Sequence, residues 1–177
     1  MAGSLIKITE TTVSSAVASV TLTGIDSTYD VYKFVFNNVT GTADNNNLAL
    51  RVTESGTPNT SANYDVAFKE LDAVGSYDNR YATNLTYHYI NIQVGGDTNE
   101  QSNGVLYIFN ANNSGEYTFF TNDTVFLNPF SGGLYGSQGG GVFTSASTVD
   151  GVNIFFVGGG GGNVDTNSKF TLYGLKK

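Results

Sequence analysis

His88 is the only histidine in the chain, and cysteine is absent. Nucleophilic and metal chemistry therefore have few starting points. A hydrolytic triad needs a base beside a nucleophile and an orienting carboxylate, and no Gly-x-Ser-x-Gly stretch supplies the nucleophile. His88 sits inside a strand-like run with Tyr87 and Tyr89 on the opposite face, and reads as a half-exposed structural histidine. Without cysteine there is no disulfide framework, zinc knuckle, iron–sulfur cluster or thiol nucleophile. The glycine runs Gly139–Gly141 and Gly158–Gly162 invite comparison with a phosphate loop. Such a loop must continue into Lys, Ser or Thr and a helix N-terminus, whereas Asn163-Val164-Asp165 follows here. Both runs read as flexible or close-packed loops.

Carboxylates are the remaining catalytic option. Glycoside hydrolysis uses two of them, roughly 5–9 Å apart in a cleft. Glu10, Glu54, Glu70, Glu100, Glu116 and the aspartates are scattered, mostly in loop-like stretches, and no pair stands out. Asp44-Asn45-Asn46-Asn47 and Asp78-Asn79 lack the spacing of a calcium-binding loop and read as solvated Asx turns. No catalytic residue, cofactor site or metal site is expected. Asn-x-Ser/Thr sequons at Asn38, Asn59, Asn84, Asn112 and Asn122 are no more than this composition produces by chance. Tyr77, Tyr81, Tyr117 and Tyr135 lie in or beside polar loops, where exposed rings could stack on a sugar.

The elements that must carry these residues follow from composition. The chain has 177 residues and 18.8 kDa, the size of one ordinary domain, with 40% hydrophobic and 13% aromatic residues. Charged residues make up 13%, about half the usual share. Fifteen acidic against eight basic residues give a net charge of −7, which phosphate repels, so no nucleic-acid partner is expected. No apolar run of ~18 residues offers a membrane-spanning helix, and no basic stretch followed by an apolar one reads as a signal peptide. Gly, Ser, Thr and Asn are abundant and disfavour helices; Val, Ile, Phe and Tyr favour a pleated, half-buried surface. A surface of hydroxyls, amides and rings is close in composition to the core of a protein interface.

Period-two alternation recurs throughout, and no stretch carries helical periodicity. Strands are predicted at 5–9, 16–22, 29–38, 48–52, 64–71, 85–94, 105–109, 117–121, 125–127, 142–149, 152–157 and 169–175. In the second of these, Ala16, Ala18, Val20 and Leu22 share a face. Ala49, Arg51 and Thr53 form the polar face of the fourth. Asn103-Gly104 and Asp150-Gly151 read as hairpin turns, and Gly132–Gly141 as a glycine-rich connection. The expectation is an all-β fold: a single antiparallel β-sandwich, jelly-roll-like, of roughly nine to eleven strands over residues 1–177, with 1–12 an N-terminal arm or edge strand. A barrel, or a sandwich with an extra hairpin, is the alternative.

Several segments in order resemble one family. Ser14–Val20 leads into Tyr29-Asp30-Val31-Tyr32-Lys33-Phe34-Val35-Phe36. Ser61–Asp65, Asn103–Tyr107, Gly139–Val142, Asp150–Val152 and the ending Phe170-Thr171-Leu172-Tyr173-Gly174-Leu175-Lys176-Lys177 then follow. Together they resemble virion structural proteins of marine tailed bacteriophages, cyanophages in particular. The resemblance implies a non-enzymatic structural protein of the phage particle: a capsid decoration or cement protein, a capsid knob, or a tail-fibre component. It carries no catalytic motif. It implies the major capsid protein or other virion proteins as partners, a homo-oligomer with a trimer favoured, and no membrane. The absence of disulfides fits assembly in a reducing bacterial cytoplasm. The alternatives are a carbohydrate- or receptor-binding module built on the four tyrosines, and a polysaccharide hydrolase.

Overall fold

A computed structural model describes residues 4–159 and 161–176. Thirteen strands form: β1 (Leu5–Thr12), β2 (Ser19–Thr23), β3 (Val31–Val39), β4 (Asn46–Glu54), β5 (Thr57–Pro58), β6 (Tyr64–Asp72) and β7 (Tyr77–Leu85). They are followed by β8 (His88–Val94), β9 (Ser102–Phe109), β10 (Thr118–Leu127), β11 (Leu134–Phe143), β12 (Gly151–Val157) and β13 (Lys169–Leu175). No helix occurs among the described residues. An eight-stranded sheet runs β1-β13-β3-β9-β10-β11-β6-β7, and a smaller sheet runs β2-β12-β4-β5 with β8 also paired to β4. Every strand pair is antiparallel. The chain crosses between the sheets at eight of its twelve connections, the β4–β5, β6–β7, β9–β10 and β10–β11 links staying within one sheet, as in a jelly-roll-like winding.

Alternation makes this packing possible. On β3, Tyr32, Phe34 and Phe36 point inward and are buried, while Val31, Lys33 and Val35 point outward. Phe34 stacks on Phe36 (5.9 Å) and on Phe170 of β13 (6.1 Å). Leu48, Leu50 and Val52 of β4 and Val152, Ile154 and Phe156 of β12 close the core from the smaller sheet. Tyr64 on β6 spans the gap between sheets: its hydroxyl accepts from the Val52 amide (3.1 Å) and donates to the Asn59 carbonyl (3.1 Å). Burial pushes this phenol well above the ordinary tyrosine range.

Several expectations are corrected. There are thirteen strands rather than nine to eleven. Tyr77–Leu85 is a strand that its polar composition concealed. The runs 117–121 and 125–127 are one continuous strand, β10. Of the second predicted strand only Ser19–Leu22 lies in a sheet strand; Val17 makes an isolated antiparallel bridge to Val164, and Ala16 and Ala18 are exposed. Ala49 and Thr53 on the nominally polar face of β4 are fully buried. Asn103-Gly104 is not a turn but the start of β9. Asp150-Gly151 joins no hairpin either, because β11 and β12 belong to different sheets. The Asp150 carboxylate instead accepts from Thr53 Oγ1 (2.5 Å) and the Gly56 amide (2.7 Å), pinning the β12 entry to the β4–β5 turn.

The largest departure is β11. The predicted glycine-rich connection is a central strand, paired along its length with β10 on one side and β6 on the other. A Cβ at Gly140 would lie 2.1 Å from the Phe120 carbonyl oxygen. One at Gly139 would lie 2.5 Å from the Ala67 oxygen, and one at Gly141 2.5 Å from the Asp65 oxygen and 2.6 Å from His88 Nδ1. These glycines are therefore contacts rather than slack. Gly140→Ala is expected to destabilise the fold by about 1–3 kcal/mol, the usual scale of overpacking. Gly115→Ala, with its nearest neighbour 3.4 Å away, should be near neutral; denaturant midpoints of the two variants check this.

Candidate functional site

Each sheet has an outer face, and the two differ. On the smaller sheet, Arg51 of β4 lies 4.3 Å over the Phe155 ring and donates from Nε to the Thr86 carbonyl (2.9 Å). Tyr87 packs edge-on against Tyr89 (5.0 Å) and Phe155 (5.9 Å). This guanidinium–aromatic cluster roofs Ala49, so that face covers itself.

The eight-stranded sheet has no such roof among the described residues. Its registers place outward side chains in continuous rows. One row runs Val31, Phe109, Phe119, Val142 and Asp65 across β3, β9, β10, β11 and β6. The next runs from Tyr173 through Lys33, Tyr107, Thr121, Gly140 and Ala67 to Tyr81. A third runs from Thr171 through Val35, Val105, Asp123, Gln138 and Lys69 to Asn79. Phe119 and Val125 are over 40% exposed, although both lie mid-sheet. Eight strands ~4.8 Å apart, each bearing about four outward rows, span about 1,000 Å². That is the area of the whole face, on which apolar Val31, Phe109, Phe119, Val142, Val35 and Val105 share the rows with polar Lys33, Asp65, Asp123, Gln138 and Lys69.

Lys33 Nζ lies over the Tyr107 ring (5.7 Å), and Lys69 Nζ over Tyr77 (4.3 Å). At the β1 edge, Glu10 bridges Lys169 (3.2 Å) and Lys7 (3.8 Å). Its carboxyl is held below the ordinary range by the Lys169 contact above all. At one end of the sheet the apolar surface continues over two turns, where the Ala73 amide donates to the Leu134 carbonyl (2.9 Å). Val74 and Phe130 are strongly exposed there.

The four tyrosines do not converge. Tyr77 and Tyr81 project from β7 onto the outer face. Tyr117 precedes β10. Tyr135 faces inward, half-buried against Phe126 (5.9 Å). A separate depression of about 270 Å³ lies between the 26–30 and 110–113 loops, lined by Asp26, Tyr29, Asp30, Asn110, Asn112 and Asn113 among others. Sequence reasoning did not single it out, because its two loops are remote along the chain.

The carboxylates also fall out differently. Glu70, within the predicted strand 64–71, is buried on β6 directly opposite Asp78 of β7. Arg80 bridges the two, 2.6 Å from Glu70 and 3.3 Å from Asp78, so the pair forms an ion triad at a sheet edge. Desolvation nonetheless raises the Glu70 carboxyl above the ordinary range. No group of three or more His, Asp or Glu able to hold a metal ion occurs among the described residues.

His88, expected to be half-exposed, is fully buried. Its ring stacks on Phe120 (5.0 Å, 24°), and neither nitrogen has a hydrogen-bond partner. The side chain works as an aromatic filler above Gly141. Desolvation lowers its pKa to about 3, against ~6.5 in an unfolded chain. Below pH 6.5 the unfolded state therefore binds a proton that the folded state refuses. Stability should fall by about 1 kcal/mol per pH unit down to about pH 3. Glu70 acts in the opposite sense: its contribution is present at low pH and lost as pH rises through its elevated pKa. Urea titrations between pH 6.5 and 4.5 should show this slope, and His88→Phe should flatten it. No protein-family model and no curated protein matches this chain.

Proposed function

We propose that this chain is a non-enzymatic structural protein of a bacteriophage particle, most simply a capsid decoration, cement or knob protein, acting through protein–protein contacts. The observation that carries the reading is the uncovered outer face of the eight-stranded sheet, mixed in polarity but with Phe119 and Val125 exposed in its middle. A face of about 1,000 Å² equals or exceeds one partner's share of a standard stable interface. Its exposed Phe119 and Val125 are of the kind buried in interface cores. The sequence likeness to virion structural proteins of marine tailed phages supplies the particle, and the sparse charge suits close repetition on a lattice. Many weak contacts then sum through high effective concentration.

Quantitative mass spectrometry of purified particles should find this chain at a copy number on the scale of the major capsid protein. A few copies per particle would move it to the tail, and its absence from particles would overturn the reading. Phe119→Lys, which leaves the core untouched, should weaken association with particles lacking the protein by about tenfold or more.

A second reading is favoured by one feature only, the depression between the 26–30 and 110–113 loops. Carboxylates, amides and the Tyr29 ring together match the donors, acceptors and stacking surface that a sugar ring requires. Glycan-array binding abolished by Asn112→Ala would support a carbohydrate-binding module; no binding across the array would remove it.

A further inference from the structure

We infer that the outer face of the eight-stranded sheet packs against the same face of a second copy of this chain, about a two-fold axis running along β9. The inference rests on the reading of that face as an interaction surface and names its occupant: the face closes a dimer that attaches to the particle bivalently through its remaining surface, so Phe119→Lys weakens attachment by separating the copies. A two-fold contact is isologous, so the patch must complement itself. It does so about β9 in charge. On one side of β9 lie Lys7, Lys33 and Lys169 with Glu10; on the other lie Asp65 and Asp123 with Lys69. The first half is net positive and the second net negative, although the whole chain carries −7. Rotation about β9 lays each half on the other.

The registers make the pairing specific. Lys33 is in register with Tyr107, and Tyr107 with Thr121. The rotation therefore sets Lys33 of one copy over Thr121 of the other. Asp123 is then one outward row away, ~6.8 Å along the strand, within reach of a lysine stem. Along the axis, Phe109, Tyr107 and Val105 meet their own equivalents. In the same operation Tyr173, half-buried on β13, comes over Gly140 of β11, a large side chain over none. The outward face of about 1,000 Å² compares with the ~800 Å² per partner that a stable complex buries. A second copy satisfies the area and the mirrored charge with one and the same surface.

Sedimentation equilibrium of the full chain, over a concentration series, tests this. The wild type should be a dimer. Lys33→Glu alone and Asp123→Lys alone each place like charges together twice per dimer, and should raise the dissociation constant about tenfold or more. The double variant Lys33→Glu/Asp123→Lys restores opposite charges and should recover the dimer. Circular dichroism of each variant separates dissociation from misfolding. A wild type that stays monomeric, a three-fold assembly, or a double variant that folds but fails to recover would each overturn the inference. A monomer that still binds particles saturably through Phe119 would overturn the dimer while leaving the structural role standing; a dimer absent from particles would do the reverse.

Discussion

The eight-stranded sheet is continuous only because β11 pairs simultaneously with β10 and β6, and that double pairing depends on three adjacent positions having no side chain. Gly139, Gly140 and Gly141 admit the Ala67, Phe120 and Asp65 carbonyls at distances no Cβ tolerates. On one side of this seam lie β1, β13, β3, β9 and β10; on the other lie β6 and β7. A side chain here would force apart two groups of strands that share one outer face. Breadth of surface is thus set by the narrowest residues of the chain.

The interior beneath the seam is unusually polar for a sandwich core. Asn91 of β8 hydrogen-bonds Ser102 and Thr124, tying the smaller sheet to β9 and β10. Asn128 donates to Gln93 Oε1 (3.1 Å) near the same end. The Asn122 side chain, Ser137 Oγ and Glu70 Oε1 are buried without protein partners, a situation that internal water ordinarily relieves. His88 shares this region but solves the problem differently, as a neutral ring stacked on Phe120. The polar layer fixes how β8 lies across the larger sheet, while the aromatic stack of Phe34, Phe36 and Phe170 supplies apolar burial elsewhere.

Where side chains alternate, the sequence and structure agree closely: β3, β6 and β13 appear where Tyr32-Lys33-Phe34, Val66-Ala67-Phe68 and Phe170-Thr171-Leu172 place them. Agreement ends where pairing rather than side-chain pattern makes the strand. β7 offers Asp78, Asn79, Arg80, Thr83 and Asn84 because one side faces water and the other holds an ion triad. β11 offers glycine, which carries no periodic signal. Asp150-Gly151 has the chemistry of a tight turn, yet the Asp150 carboxylate is spent on a strand 97 positions away. The candidate face was legible only as a surplus of uncharged residues. Its rows join residues as distant as Lys33, Tyr107 and Tyr173, and only the register reveals that they are neighbours.

The borders of the large sheet lead to a last consequence. β1 slips register between Lys7 and Thr9, so its hydrogen-bonding edge is kinked, and Lys7 and Glu10 stand on it. β7 exposes Asp78 and Asn79 at the far border. Kinked and polar margins of this kind resist the indefinite end-to-end strand addition that produces fibrils. A chain with so broad and sparsely charged a face would otherwise be an aggregation hazard at high concentration. The broad side is thereby left as the surface on which a closed, countable assembly, such as the inferred dimer, would form.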